Sequence, residues 1–304
     1  SDYTGSGRSS FVVLRKTGGG PNGAVTWFVK DNDGGKTGSA SSFVLGDASD
    51  SLVDGDFDGD GIADAAACDL PTGACSIRRS SRPGTPWVVP FGQAGDNVTQ
   101  VGDYDGDGID DLAAYRAGAS TGQVSHTVVR LTRSGAVRDL VTGEYGAFAH
   151  GGIDYTGDSM ADMAIQSDAG GGVAAFRIYD GTTGTMVSTF TFGTPSDIMV
   201  LGNHGGSEWG DITVTPSVSG NVNWTTRDGQ TGVGQPSVMH GVTSDYRLSG
   251  DFDGDGLDDY AVWRPSATAS QSKFVVRLSS APSPLLEVNF GQLDDYPIEN
   301  SRVH

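Results

Sequence analysis

Four nine-residue segments set acidic side chains at positions one, five and nine around a glycine turn, and three of them add a fourth at position three. They read Asp56-Phe-Asp-Gly-Asp-Gly-Ile-Ala-Asp64, Asp103-Tyr-Asp-Gly-Asp-Gly-Ile-Asp-Asp111, Asp154-Tyr-Thr-Gly-Asp-Ser-Met-Ala-Asp162 and Asp251-Phe-Asp-Gly-Asp-Gly-Leu-Asp-Asp259. Carboxylates in this spacing can converge on one hard cation. Calcium takes six to eight oxygens at about 2.3–2.6 Å in a tolerant geometry. The expected ligands are Asp56, Asp58, Asp60 and Asp64, then Asp103, Asp105, Asp107 and Asp111, then Asp251, Asp253, Asp255 and Asp259. The third loop offers Asp154, Asp158 and Asp162, with the Thr156 hydroxyl at position three. Main-chain carbonyls of Ile62, Ile109, Met160 and Leu257 at position seven would complete each set. About four Ca2+ sites are expected, the Asp154 loop being the weakest because it lacks one carboxylate.

One such loop alone could be a solvated acidic turn; four in phase argue for metal. An EF-hand needs a bidentate Glu at loop position twelve and flanking helices. Position twelve holds Ala67, Ala114, Ile165 and Val262. The segments after the loops, such as Leu112-Ala-Ala-Tyr-Arg116, are short, apolar and bounded by turn residues, which predicts strands. Each loop therefore joins two strands.

Two degenerate copies, Asp2-Tyr-Thr-Gly-Ser-Gly-Arg-Ser-Ser10 and Asn203-His-Gly-Gly-Ser-Glu-Trp-Gly-Asp211, keep the phase. First positions fall at residues 2, 56, 103, 154, 203 and 251, a period of about fifty, which signals a solenoid, propeller or array. Phe91-Gly, Tyr145-Gly, Phe192-Gly and Phe290-Gly recur shortly before a loop or the chain end. Unit three contains four strand-like runs, Val98–Tyr104, Asp111–Arg116, His126–Thr132 and Val137–Glu144. No sustained 3.6-residue apolar period occurs. Four strands repeated six times predict an all-β fold, a six-bladed β-propeller of four-stranded blades occupying residues 1–304 as one domain. A flat array is the alternative.

The Asp loops, the Phe-Gly markers and the run Asp259-Tyr-Ala-Val-Trp-Arg-Pro-Ser266 resemble the FG-GAP/VCBS repeat group of β-propellers, which includes integrin α-chains and certain fungal lectins. The resemblance covers essentially the whole chain. It implies that each Asp loop joins the innermost strand of a blade to the second one and holds calcium. That role carries over to the loops at Asp56, Asp103 and Asp251 and to the Asp154 loop. It does not carry over to the copies at residues 2 and 203, where Thr4, Ser6, Gly205 and Ser207 occupy ligand positions. Arg8 is a candidate to replace the ion there with a guanidinium. The group's activities are diverse, so fold and metal are implied far more closely than function.

The chain carries 38 acidic against 19 basic residues, a formal charge of −19. Such a balance disfavours nucleic acid, whose phosphates need a basic face. No run approaches the roughly 20 apolar residues of a membrane helix, so membrane insertion is not expected. Clustered carboxylates repel one another without metal, so folding and calcium binding should be linked.

Cys68 and Cys75 flank the turn Asp-Leu-Pro-Thr-Gly-Ala. Facing residues of a hairpin lie within disulfide reach, and closing so small a loop contributes roughly 2–3 kcal/mol. A pair of buried free thiols is the alternative. A disulfide, calcium loops and an acidic surface together point to an extracellular or cell-surface location.

No HExxH, GxSxG or phosphate-binding glycine loop is present. Propellers with related repeats that act on polysaccharides gather His, Tyr and Arg from several blades. His150, His204 and Tyr246 are candidates for such a site, although surface or rim positions account for them better. Trp27, Trp224 and Trp263 lie in strand-like runs and are expected in the core. Trp209 falls inside a degenerate loop and is the best candidate for a ligand or partner contact. Asn97-Val-Thr99 and Asn223-Trp-Thr225 match glycosylation sequons.

The segment Asp295-Tyr-Pro-Ile-Glu-Asn-Ser301 aligns with Asp245-Tyr-Arg-Leu-Ser-Gly-Asp251, the strand entering the last loop. It should complete the blade begun by Ser10–Lys16, Ala24–Lys30 and Ser39–Leu45. It can close its own ring or be donated head-to-tail to a second copy, which would build a filament. The sequence reading is a non-catalytic structural or adhesive module whose partner is itself or a surface glycan or protein. A carbohydrate-binding lectin is the alternative, and a polysaccharide-degrading enzyme the third.

Overall fold

The computed structural model describes residues 1–20, 22–34, 38–98 and 100–298. The chain forms six antiparallel sheets arranged as the blades of a β-propeller. Blade two is typical: Ser51–Gly55, Asp64–Asp69, Ala74–Arg78 and Trp87–Pro90 pair in chain order. Blades three, four and six repeat that order from Asn97, Phe148 and Tyr246. Blade five runs Met199–Val200, Ile212–Val214, Asn221–Arg227 and Val238–Val242, with a two-residue extension at Ser217–Val218. The first strands are innermost. Val53, Gly151, Val200, Ser249 and Ile298, drawn from five of the blades, surround one central cavity of about 500 Å3.

The wedge shape of a blade explains which residues occur where. Second strands lie near the axis, where blades converge, and in blades two, three, four and six they bury alanines: Ala65, Ala66 and Ala67, Ala113 and Ala114, Ala164, and Ala261; blade one departs, burying Phe11 and Leu14 there. Third strands lie farther out, where the gap widens, and fill it with Trp27, Ile77, Phe176, Trp224 and Phe274. Burying each such side chain contributes roughly 1.5–3 kcal/mol. The core is accordingly a set of clusters between adjacent blades. One joins Phe57, Cys68, Ile77 and Phe91 of blade two to Val98, Leu112 and Val128 of blade three. Another joins Phe252, Trp263 and Phe274 of blade six to Phe11 and Val13 of blade one. Trp27, Trp224 and Trp263 are in the core as expected, and outer strands such as Met186–Thr191 are largely exposed.

The inner strand of unit three is shorter than the sequence suggests. It pairs over Asn97–Val98 and resumes as a single bridge between Gly102 and Asp111. The seam with blade four is tight at the bridge: a methyl on Gly102 would stand 2.6 Å from Gly152 Cα. The third strand begins earlier, spanning Val124–Arg130, while Val137–Glu144 is as expected.

Blade one contains Phe11–Lys16, Ala24–Lys30 and Ala40–Asp47, and its innermost strand comes from the far end of the chain. Tyr296 pairs with Leu14 and Pro297 with Val13. The Arg15 guanidinium donates to Asp295 Oδ1 at 2.6 Å and Oδ2 at 2.8 Å. This fork repeats the pairs Arg116–Asp96 and Arg264–Asp245 inside blades three and six, so the seam copies an ordinary blade. The closing strand lies in its own ring; donation to a second copy is not needed to complete a blade. Residues 299–301 of the expected closing segment, and Thr99 of one sequon, lie outside the described residues. Cys68 faces Cys75 across the hairpin of blade two and is disulfide-bonded to it.

Replacing both cysteines by alanine is expected to cost about 2–3 kcal/mol, read as a lower denaturant midpoint. An unreduced peptide map should show the Cys68–Cys75 link. Two alkylatable thiols in the folded native protein would contradict it.

Candidate metal centre

Each full loop is first folded by its own carboxylates. The position-one side chain accepts main-chain N–H bonds from positions four and six. Asp56 takes them from Gly59 and Gly61, both at 2.7 Å. Asp103 takes them from Gly106 and Gly108, Asp154 from Gly157 and Ser159, and Asp251 from Gly254 and Gly256. The left-handed turn needs positive φ at both donors, which glycine accepts without strain. The third loop places Ser159 there, at φ 66°.

Position nine ties the loop to the rest of its blade. Asp64 accepts from Phe57 N–H at 3.0 Å and from Ser80 N–H, just beyond the third strand, at 2.6 Å. Asp111, Asp162 and Asp259 make the equivalent pairs with Tyr104 and Thr132, Tyr155 and Gly181, and Phe252 and Ser279. Position-two aromatics Phe57, Tyr104, Tyr155 and Phe252 are thereby held in the core.

In all four loops three carboxylates converge, with oxygens within 4.8 Å of one another. The groups are Asp56, Asp58 and Asp64; Asp103, Asp105 and Asp111; Asp154, Asp158 and Asp162; and Asp251, Asp253 and Asp255. Asp58 Oδ1 and Asp105 Oδ1, both at position three, are buried with no hydrogen-bond donor. A buried acceptor left unpaired is costly, and a cation would supply the partner. The donor set is all oxygen, with no thiolate or imidazole, which suits a hard ion such as calcium. The residues present therefore fit the ion that the spacing implies. Of the expected ligands, Asp60, Asp107 and Asp259 fall outside these groups; at position five, Asp60, Asp107 and Asp255 accept on Oδ2 from Ser80, Arg133 and Ser279.

Those partners were not legible as site residues. Ser80 and Ser81 donate to Asp60 and Asp58, and Ser279 and Ser280 donate to Asp255 and Asp253. The only signal is a Ser-Ser pair at the same point after the third strand in units two and six.

The six loops also bind one another. The position-eight N–H of each loop donates to the position-one carbonyl of the preceding loop. The pairs are Ala63 to Asp2, Asp110 to Asp56, Ala161 to Asp103, Gly210 to Asp154, Asp258 to Asn203 and Ser9 to Asp251, at 2.6–2.9 Å. The series closes on itself and sets all the loops on one face. Beside each bond, the position-seven side chain covers the position-four glycine of the preceding loop: Ile62 on Gly5, Ile109 on Gly59, Met160 on Gly106 and Leu257 on Gly206. Position seven thus has a packing role that its expected carbonyl role did not foresee.

Trp209 is the position-seven residue of its degenerate loop. It is half-buried against Gly157, where an added methyl would meet the indole nitrogen at 2.1 Å, and it also lines a cavity between blades four and five. Arg8, the position-seven residue of the first loop, does not replace an ion in its own loop. Its Nε donates instead to the Asp253 carbonyl of the neighbouring one at 3.1 Å, because position seven always projects onto the preceding loop.

The three residues considered for catalysis have separate settings. His150 lines the central cavity beside Gln166, its Nε2 3.2 Å from Gln166 Oε1. His204 stacks on Tyr260 at 4.7 Å and contacts the Thr213 and Ser249 hydroxyls; burial pushes its pKa down to about 3. Tyr246 packs on Trp263.

Without metal, burial pushes Asp64, Asp162 and Asp259 up to about 6 and Asp111 up to about 7, and the carboxylates of Asp58, Asp158, Asp253 and Asp105 add to the rise. Main-chain N–H bonds act the other way. These folded values exceed the ordinary 3.8, so the native state binds more protons than the unfolded chain between about pH 4 and 7. Metal-free stability should therefore fall as pH rises through that window, while calcium affinity should rise, because protons and calcium compete for the same oxygens. Melting curves in chelator from pH 5 to 8 check this; a midpoint that climbs with pH would contradict it. Ser159→Gly should stabilise the metal-free protein by about 1 kcal/mol by removing a left-handed serine, read in denaturant unfolding. No gain would mean that the third loop is unstrained.

No protein-family model and no curated protein matches the chain. Among solved structures, the Dos1 propeller aligns over 94% of this chain and 74% of its own, at 13% identity and a TM-score of 0.45.

Proposed function

We propose that this chain is an extracellular calcium-binding β-propeller of the FG-GAP/VCBS repeat type, acting as a non-catalytic structural or adhesive surface module. The observation that carries this reading is the fourfold recurrence of a carboxylate cluster on one face, two of the four holding a buried acceptor oxygen, on Asp58 and Asp105, that no donor serves. The clusters belong to the same loops that bind blade to blade, so an ion in them would stiffen the ring. Four divalent ions would also offset eight of the nineteen excess negative charges. The Cys68–Cys75 disulfide supports an oxidising compartment. Among the described residues, the His, Cys, Asp and Glu groupings that could hold a metal are these four loops, and His150, His204 and Tyr246 sit in different surroundings, which supports a non-catalytic role.

Calorimetric titration of the chelator-stripped protein should find about four calcium sites. Each saturated site adds about 2.7 kcal/mol at a hundredfold excess over its Kd. Millimolar calcium should therefore raise the melting temperature by on the order of 10 °C or more. Asp58→Asn or Asp105→Asn should each remove one site. No binding heat and an unchanged melting temperature would overturn the reading.

A further inference from the structure

The groove between blades four and five ends in a cavity of about 480 Å3, within the roughly 300–1,000 Å3 range of ligand pockets. Trp209, Phe190 and Tyr155 supply aromatic walls, and Arg227, Gln230 and Thr231 supply polar ones. The Arg227 guanidinium lies over the Phe190 ring at 3.8 Å. Arg78 crosses to Phe43 between blades one and two in the same way at 3.9 Å, so that contact belongs to the repeat. The particular feature is Trp209. The four full loops carry an aliphatic side chain at its position.

Its indole N–H separates Trp209 from the core tryptophans, a feature that it shares with Trp87 of blade two. The core tryptophans each donate their indole N–H to a carbonyl: Trp27 to Leu45, Trp224 to His240 and Trp263 to Phe290. Among the described residues, the Trp209 indole N–H and the Arg227 guanidinium have no protein acceptor. The acidic side chain on the same wall, Asp180, has its Oδ1 engaged by the Thr182 and Thr183 N–H groups. A planar cation with free donors beside a half-buried indole that lines the cavity matches a carboxylate carried on a polyhydroxylated ring. The guanidinium fork fits the carboxylate, the indole fits the C–H face of the ring, and the Gln230 side chain can serve its hydroxyls, while the Thr231 hydroxyl is held by Asp228.

We propose that this groove binds an acidic saccharide through a uronate residue. The proposal deepens the adhesive part of the function above by naming a ligand class, and it is independent of the calcium loops. The test is calorimetric titration with a hyaluronan tetrasaccharide, which carries glucuronate, in excess calcium at physiological ionic strength. Neutral cellotetraose is the comparator. One saturable site is expected for the acidic sugar, with at least tenfold weaker binding of the neutral one. Arg227→Gln and Trp209→Leu should each weaken binding at least tenfold with a melting temperature close to wild type. Leucine is already used at that position in unit six, where Leu257 covers Gly206. Absence of acidic-sugar binding, or equal affinity for cellotetraose, would overturn the proposal and leave the calcium reading intact. Full affinity in both variants would overturn the site and leave the adhesive reading standing.

Discussion

The ring depends on a circle of six main-chain hydrogen bonds, each from the position-eight N–H of one loop to the position-one carbonyl of the loop before it. A propeller blade has few backbone bonds to its neighbours, since its ladders run within the blade. Side-chain packing between blades is otherwise what keeps six wedges in register. The circle supplies a directional link at every interface, including the seam, where Ser9 donates to Asp251. Two loops have lost ligand positions, yet both keep their place in it. A loop can therefore lack the carboxylates of a metal site and remain structurally necessary, which is how four carboxylate-rich loops and two others coexist in one ring.

The same loops crowd carboxylates together. Position-one and position-nine carboxylates are well served by N–H donors, whereas position three holds Asp58 and Asp105 oxygens without any. Burial raises the position-nine groups toward neutrality when no ion is present. The backbone cradle is thus preformed and the charge is uncompensated, the condition in which a divalent ion gains affinity at little cost in ordering. The Asp154 loop departs twice, with Thr156 in place of a carboxylate and Ser159 at positive φ. It also borders the groove that carries Trp209 and Arg227, so the least regular interface of the ring is the one with the most distinctive surface.

Much of this was legible in the sequence, and the reason is repetition. The fifty-residue period, the four strands per unit, the closing strand at Tyr296 and the Cys68–Cys75 hairpin follow from in-phase copies read against one another. The circle of bonds was not legible, because a main-chain donor leaves no residue signature: position eight is Ala63, Asp110, Ala161, Gly210, Asp258 and Ser9 in turn. The hydroxyl partners of the loops escaped notice because Ser80 and Ser279 arrive 20 and 24 residues after the carboxylates they serve. Trp209 was singled out for lying in a degenerate loop, but its packing on Gly157 becomes apparent only once position seven is seen to project onto the neighbouring blade.

The central claim is that the four complete loops hold calcium and that the two degenerate loops serve the ring without it. Diffraction from crystals grown with calcium, recorded at a wavelength where calcium scatters anomalously, tests it directly. The account predicts four anomalous peaks, each among the carboxylates that begin at Asp56, Asp103, Asp154 and Asp251, the third being the weakest. None should appear in the loops beginning at Asp2 and Asn203. Peaks missing from the loops that begin at Asp56 and Asp103, where buried oxygens have no other partner, would contradict it.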